Sequence, residues 1–141
     1  MLVQLLYASR AVYGADTATI NAILQKARLH NPDAGITGVL CHSQHYFLQL
    51  LEGGRDQVNQ LYARILRDQR HSDVTLLHYE EIQERHYSGW VMGQTNLDKL
   101  NAATVLRYSP LPVFDPYAMP ASSTLALIEE LASSAAVQGG A

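Results

Sequence analysis

The 141 residues include a single cysteine, Cys41. No intramolecular disulfide can form, and no CxxC pair exists to hold a metal or carry redox chemistry. That usage fits a reducing compartment. Long hydrophobic runs are also missing, since no apolar stretch approaches the roughly 20 residues that span a bilayer. The start, Met1 to Tyr7, has no positive leader and no small-residue cleavage site, so it reads as a first strand and not as a signal peptide. Charge of one sign is scarce: ten Lys plus Arg against thirteen Asp plus Glu leave a net charge of -3. Without a basic excess, phosphate-backbone binding is not expected. GxxxxGK[ST], GxGxxG, HExxH and GxSxG are all absent, which removes the phosphate-cradling and hydrolase motifs with the strongest local signatures. These absences lead to the expectation of a soluble cytoplasmic protein with no nucleic-acid or membrane partner.

What is present is an ordinary globular composition, 48% hydrophobic and 16% charged, which suffices for one real core. Leu2 to Ala8 is apolar on both faces, with Val3, Leu5 and Tyr7 on one and Leu2, Leu6 and Ala8 on the other, as in a strand covered on both sides. Gly14-Ala15-Asp16 breaks the pattern. Asp16 can then cap a helix carrying Ile20, Ile23, Leu24 and Ala27 on one stripe, and Asn31-Pro32 is expected to end it. Strands follow at Ile36 to Cys41 and Tyr46 to Leu51, with His42-Ser43-Gln44-His45 as a hairpin link. Gly53-Gly54 marks a turn, Val58, Leu61, Tyr62 and Ile65 form a second helical stripe, and Val74 to Ile82 reads as a strand. A last short strand is expected to contain Trp90-Val91-Met92. The order βαββαββ makes a ferredoxin-like α+β sandwich.

Right-handed crossovers put both helices on one face of such a sheet, leaving the other face apolar. Two further C-terminal helices are expected to cover it, one capped by Asn96 and running to about Arg107, the other capped by Ser122 or Ser123 with Leu125, Ile128, Leu131 and Ala132 inward. Pro110, Pro112, Pro116 and Pro120 make the stretch between them an extended linker on the body of the domain. The expected organisation is therefore a sandwich domain over 1–95, a helical cap with its Pro-rich linker over 96–136, and a flexible tail over 137–141.

The candidate site residues are polar groups where apolar ones belong. Gln49 lies in the otherwise apolar run Tyr46-Phe47-Leu48-Gln49-Leu50-Leu51, and a buried amide without a partner costs about 1–3 kcal/mol. Tyr7 is its natural partner, because their strands are neighbours in this fold and a phenol both donates and accepts. On pattern alone the pair can satisfy itself in the core or face a ligand, and the first arrangement is the commoner. Asn31 can terminate its helix or present its amide to a heterocycle at the rim of the sandwich. Arg64 can snorkel to solvent or reach a carbonyl or phosphate between the helices. Trp90 and Met92, two apart on one expected strand, share a face. Among the six histidines, His42 and His45 flank a hairpin, where solvated loop histidines are far commoner than a metal site.

At these residues the sequence resembles the BLUF family of bacterial blue-light sensors. The resemblance covers about Val3 to Met92 and rests on Tyr7-Ala8-Ser9, on Asn31 followed by Gly35-Ile36-Thr37-Gly38-Val39-Leu40, and on Phe47-Leu48-Gln49-Leu50-Leu51-Glu52-Gly53. It continues through Tyr62-Ala63-Arg64-Ile65, Arg70-His71 and Trp90-Val91-Met92. It implies a non-covalently held flavin between the first two helices, FAD before FMN or riboflavin. It also implies a photoactive pair, Tyr7 and Gln49. By the same resemblance Asn31 hydrogen-bonds the flavin's N3 and C4 carbonyl edge, Arg64 lies near the C2 carbonyl, and His30 and His71 complete the contacts. Trp90 and Met92 match the two residues proposed to exchange places near the flavin and to pass the signal on. The expected function is a blue-light photoreceptor without catalytic turnover or metal, signalling by Tyr-Gln-flavin hydrogen-bond rearrangement to a homo-oligomer or a separate effector protein. A small flavin-dependent oxidoreductase and a chromophore-free regulatory module are the alternatives.

Overall fold

The computed structural model describes residues 1–12, 14, 16–134 and 137. Five strands form one sheet: β1 (Leu2–Ala11), β2 (Thr37–His42), β3 (Tyr46–Gly54), β4 (His71–Ile82) and β5 (Gly93–Asn96), in the order β4-β1-β3-β2-β5. Helix α1 (Thr17–Ala34) links β1 to β2, and α2 (Arg55–Leu66) links β3 to β4. β1 pairs antiparallel with both β3 and β4, and β2 antiparallel with β3. Each helix therefore bridges two parallel strands separated by one antiparallel strand, the ferredoxin-like double βαβ expected from the sequence. After β5 come a 3₁₀ turn at Leu97–Lys99, a short helix α3 (Ala102–Tyr108) and α4 (Ala121–Ser133).

The alternation in β1 has the predicted consequence. Val3, Leu5 and Tyr7 join Ile20, Leu24, Val58 and Leu51 under α1 and α2, while Leu6 and Ala8 join Leu48, Leu50, Val105, Leu127, Ile128 and Leu131 under the C-terminal helices. Both faces of the sheet are thus covered. Gly38 shows why the central strands pack so closely: a Cβ there would stand 2.0 Å from the Leu50 carbonyl oxygen, so only glycine fits. Among the described residues no helix is long and apolar enough to cross a membrane.

Several boundaries differ from the sequence reading. β1 runs on to Ala11, and Ala15 of the expected break lies outside the described residues. Asp16 does cap α1, accepting from the Thr19 amide at 2.7 Å. The helix, however, passes through Pro32 and stops at Gly35, whose φ of 68° suits glycine. Proline removes only its own N–H here, and the Asn31 carbonyl is still used, accepting from Ile36 N–H at 2.9 Å. β3 leads straight into α2, with no turn at Gly53-Gly54, and β4 begins three residues early, at His71. Asn96 caps only the 3₁₀ turn; Asn101 caps α3, and Pro120, with no side-chain cap, precedes α4. On α4 the buried set is Thr124, Leu127, Ile128 and Leu131, so Leu125 and Ala132 stand beside the inner stripe and not at its centre. The Pro-rich stretch lies on the body through buried Phe114 and Met119. Of the expected tail only Val137 is described, and it is buried; 138–141 lie outside the described residues.

Candidate functional site

A cavity of about 560 Å³ opens between α1 and α2 above the sheet, within the size range of small-molecule sites. Tyr7, His30, Asn31, Gln49, Arg64 and His71, all singled out in the sequence, line it. Tyr7 reaches it from β1 and Gln49 from β3, and the two are direct cross-strand partners. The Tyr7 hydroxyl donates to Gln49 Oε1 at 2.6 Å, and Gln49 Nε2 points to Met92 Sδ at 3.4 Å. Both residues are buried. Burial, and after it the negative charge of Asp68, raises the Tyr7 phenol above its ordinary pKa, so it is held as a proton donor.

His71 is fixed at both ring nitrogens. Nε2 lies 2.8 Å from the Ile65 carbonyl, which can only accept, and Nδ1 lies 2.7 Å from Ser9 Oγ. In the neutral ring Nε2 carries the hydrogen and Nδ1 accepts from Ser9. The ring meets Tyr7 and Phe47 edge-on, each with centroids 6.2 Å apart, while Tyr62 tilts against Tyr7 at 5.7 Å. His30 and Arg64 are exposed at the rim, on α1 and α2.

Asp68, the charge that acts most on Tyr7, and its ion-pair partner Arg70 were not singled out as charges beside the site in the sequence. Arg70 donates from Nε to both carboxylate oxygens of Asp68 at 3.0 Å, and this holds the Asp68 carboxyl down at about 2. Both residues line the cavity, and the charges of both act on Tyr7. In the sequence the stretch Asp68 to Asp73 is merely polar, and only the Arg70-His71 match marks the segment.

Trp90 and Met92 do not behave as one strand face. β5 starts at Gly93, where pairing with β2 begins at Val39, so both lie in the preceding loop, tied down where Gly38 N–H donates to the Trp90 carbonyl at 2.9 Å. Met92 packs with Tyr7 and Leu40, whereas Trp90 stacks on Tyr87 at 5.9 Å and packs against the core under α4. Side-chain alternation fails because that segment is not paired as a strand. His42 also departs from expectation: it is buried in β2 with Nε2 3.0 Å from Gln94 Oε1. Among the described residues no group of His, Cys, Asp and Glu is placed to hold a metal.

The cavity fits a flat heterocycle edged with carbonyls and an imide. Ile23, Ala27, Leu40, Phe47, Leu61 and Ile65 give it apolar walls, and the Asn31 amide nitrogen is buried in it without a hydrogen-bond partner among the described residues. Such a donor is costly unless a ligand acceptor meets it.

Comparison with known proteins gives the same picture. The chain is 41% identical over 92 residues to the photoactivated adenylate cyclase subunit beta of Euglena gracilis, a match that covers 64% of this chain and 11% of that protein. It is 32% identical over 77 residues to the blue light- and temperature-regulated antirepressor BluF of Escherichia coli K12, covering 55% of this chain and 19% of that one. The chain thus spans only a small part of the curated relatives it matches. Two solved structures are similar over nearly their whole length: BlsA in its photo-activated state (TM-score 0.84, 28% identity, 93% of this chain and 94% of that one), and BlrB in its dark state (TM-score 0.77, 25% identity, 95% and 96%). A family model described as sensors of blue light using FAD matches residues 2–93, and the chain belongs to that family, BLUF.

Proposed function

We propose that residues 1–95 bind FAD between α1 and α2 and convert blue-light absorption into a new hydrogen-bond state of Gln49, which the loop before β5 carries to the C-terminal helices. The observation that supports this most is the continuous contact Tyr7 Oη to Gln49 Oε1 and Gln49 Nε2 to Met92 Sδ, at 2.6 and 3.4 Å, in one buried row. Bound in the cavity, the flavin supplies the blue-light absorption and, once excited, an acceptor for an electron and a proton. Tyr7 is the donor of both, kept protonated by its burial. With the phenol proton displaced, Gln49 Oε1 loses the donor it accepts from, the amide must reorient or exchange its donor and acceptor ends, and the electron and proton then return to Tyr7, leaving Gln49 in its new hydrogen-bond state. Either change also alters what faces Met92.

The other residues bind and orient. Asn31 offers its orphaned Nδ2 to a ring carbonyl. Arg64 and His30 close the rim, and Arg70 and His71 hold the floor beside Tyr7, with His71 keeping its orientation through Ser9 and Ile65. Residues 96–136, carrying α3, α4 and the linker, act as cover and output surface, handing the signal to a second copy of the chain or to a separate effector. The chain itself turns over no substrate in this reading.

One spectrum tests it. The holoprotein is expected to be yellow and, under blue light without added donor, to show a reversible red shift of the flavin bands. Bleaching that needs a reductant and persists in the dark would instead mark redox turnover of the oxidoreductase kind. A colourless protein that takes up no flavin would leave a regulatory module without a chromophore.

A further inference from the structure

Glu52 is wholly buried on the sheet face away from the cavity, yet no cationic side chain meets its carboxylate among the described residues. Three donors meet it instead. Gln4 Nε2 gives to Oε2 at 2.9 Å, and the backbone amides of His86 and Tyr87 give to Oε1 at 2.9 and 2.8 Å. Gln4 and Thr37 are its register partners on either side, so a polar row crosses the three central strands. Arg85 spans the end of that row, donating to Thr37 Oγ1 and to the Glu52 carbonyl, each at 3.1 Å. The backbone held this way belongs to the loop that five residues later presents Met92 to Gln49, and within it Tyr87 stacks on Trp90. Gln49 and Glu52 lie on the same strand, three residues apart and on opposite faces.

Resting on the photosensor reading above, we infer that Glu52 is a positioning residue: its carboxylate pins the loop before β5 to the strand that carries Gln49, so that a change at Gln49 moves Met92 and Trp90 against a fixed backbone. Without the clamp the His86 and Tyr87 amides lose their acceptor, the loop is held only through the Arg85 side chain and at Trp90 and Met92, and the Gln49 state is no longer read.

The test compares Glu52→Leu with Glu52→Gln in the FAD-loaded full chain. Glutamine keeps an oxygen for the two loop amides, and Gln4 can turn its own amide to offer an oxygen to the new NH₂, so its dark recovery should stay within about two-fold of the parent. Leucine removes every acceptor. It should still bind FAD and form the red shift, since it touches neither, but its dark recovery should change by at least about five-fold, the effect of about 1 kcal/mol on a barrier. The light-induced change in the fluorescence of Trp90, the chain's one tryptophan, should disappear. Recovery and Trp90 signal equal to the parent's in Glu52→Leu overturn the inference. Should Glu52→Leu not fold, hydrogen exchange on the parent decides: the His86 and Tyr87 amides are expected to be equally protected in the dark and under illumination while exchange at Trp90 and Met92 changes with light, and loss of the His86 and Tyr87 protection on illumination, or no change at Trp90 and Met92, overturns the inference. A parent that shows no red shift at all would sink the photosensor reading first, which separates the two failures.

Discussion

The Tyr7-Gln49 contact sets the cost and consequence of Tyr7→Phe. Phenylalanine keeps the ring, and with it the contacts to Tyr62 and His71, but removes the hydroxyl 2.6 Å from Gln49 Oε1. Gln49 is 4% exposed, so its buried oxygen loses its donor, at about 1–3 kcal/mol. For a chain of 141 residues the unfolding entropy is about 0.3 kcal/mol/K, which makes the expected fall in Tm about 3–10 °C. Thermal unfolding by circular dichroism in the dark, with FAD in the same fixed excess for every variant, measures it. The double variant Tyr7→Phe/Gln49→Leu removes both partners and leaves no orphan, so it should regain most of the loss. A double variant no more stable than Tyr7→Phe would refute the coupling. In the absorption spectrum Tyr7→Phe should hold FAD and show no light-induced red shift, because phenylalanine has no proton to give. A normal shift would refute the assignment of Tyr7 as donor.

Asn31→Ala should move affinity and stability in opposite directions. It removes a buried nitrogen that has no partner among the described residues, so FAD binding followed by fluorescence titration should weaken about 2- to 12-fold, one net hydrogen bond, while the FAD-free chain becomes no less stable; unchanged affinity would remove Asn31 from the site. At alkaline pH the buried acids decide the outcome. Burial pushes the Cys41 thiol up to about 12 and raises the Tyr7 phenol as well, whereas in the unfolded chain they titrate near about 8.5 and 10. A raised folded value gives stability that is complete below the unfolded value and is lost as pH rises past it, so denaturant unfolding should show a decline starting near pH 9, by up to about 1.4 kcal/mol per pH unit per group. Cys41→Ala should delay the onset to about pH 10, and stability flat to pH 11 in the parent would contradict the burial argument.

Where periodicity carried the signal, the fold was legible in the sequence: both faces of β1 and the stripes of α1 and α2 stand where alternation and helical spacing put them, and the β2–β3 hairpin is there too, though its link is 43–45 because His42 belongs to β2. The Tyr7-Gln49 pair was legible for the related reason that a lone amide in an apolar strand must find a partner. Local rules failed where tertiary contacts outweigh them. Pro32 did not end α1, because a left-handed Gly35 three residues on closes the helix better. Trp90 and Met92 looked like one strand face, because composition cannot tell a loop fastened through a backbone carbonyl from a paired strand. Asp68, Arg70 and Glu52 carried no periodic signal at all, since their value lies in partners that only the folded chain brings near.

His71 shows how such a residue reaches the site. Along β1 and β4 the pairing slips twice: Leu6 faces His78 but Tyr7 faces Leu76, and Ala8 faces Thr75 but Arg10 faces Ser72, so β4 carries one extra residue at each place. Each extra residue turns the following side chains to the other face of the sheet. Tyr79 packs with the cavity-side core, Leu77 beyond the first slip joins the core under α4, and Val74 is back on the cavity side. Counting on by alternation from Tyr79, with neither slip, His71 would share the cavity face; with the first slip alone it would face α4. The second slip, built around Asp73 at φ 52°, returns it to Tyr7 and Ser9. The first bulge is what lets Leu77 fill the core under α4, and the second lets His71 brace the photoactive tyrosine. Bulges on either side of Tyr7 thus let one edge strand serve both faces of the sheet, the one that holds the cavity and the one that carries the output helices.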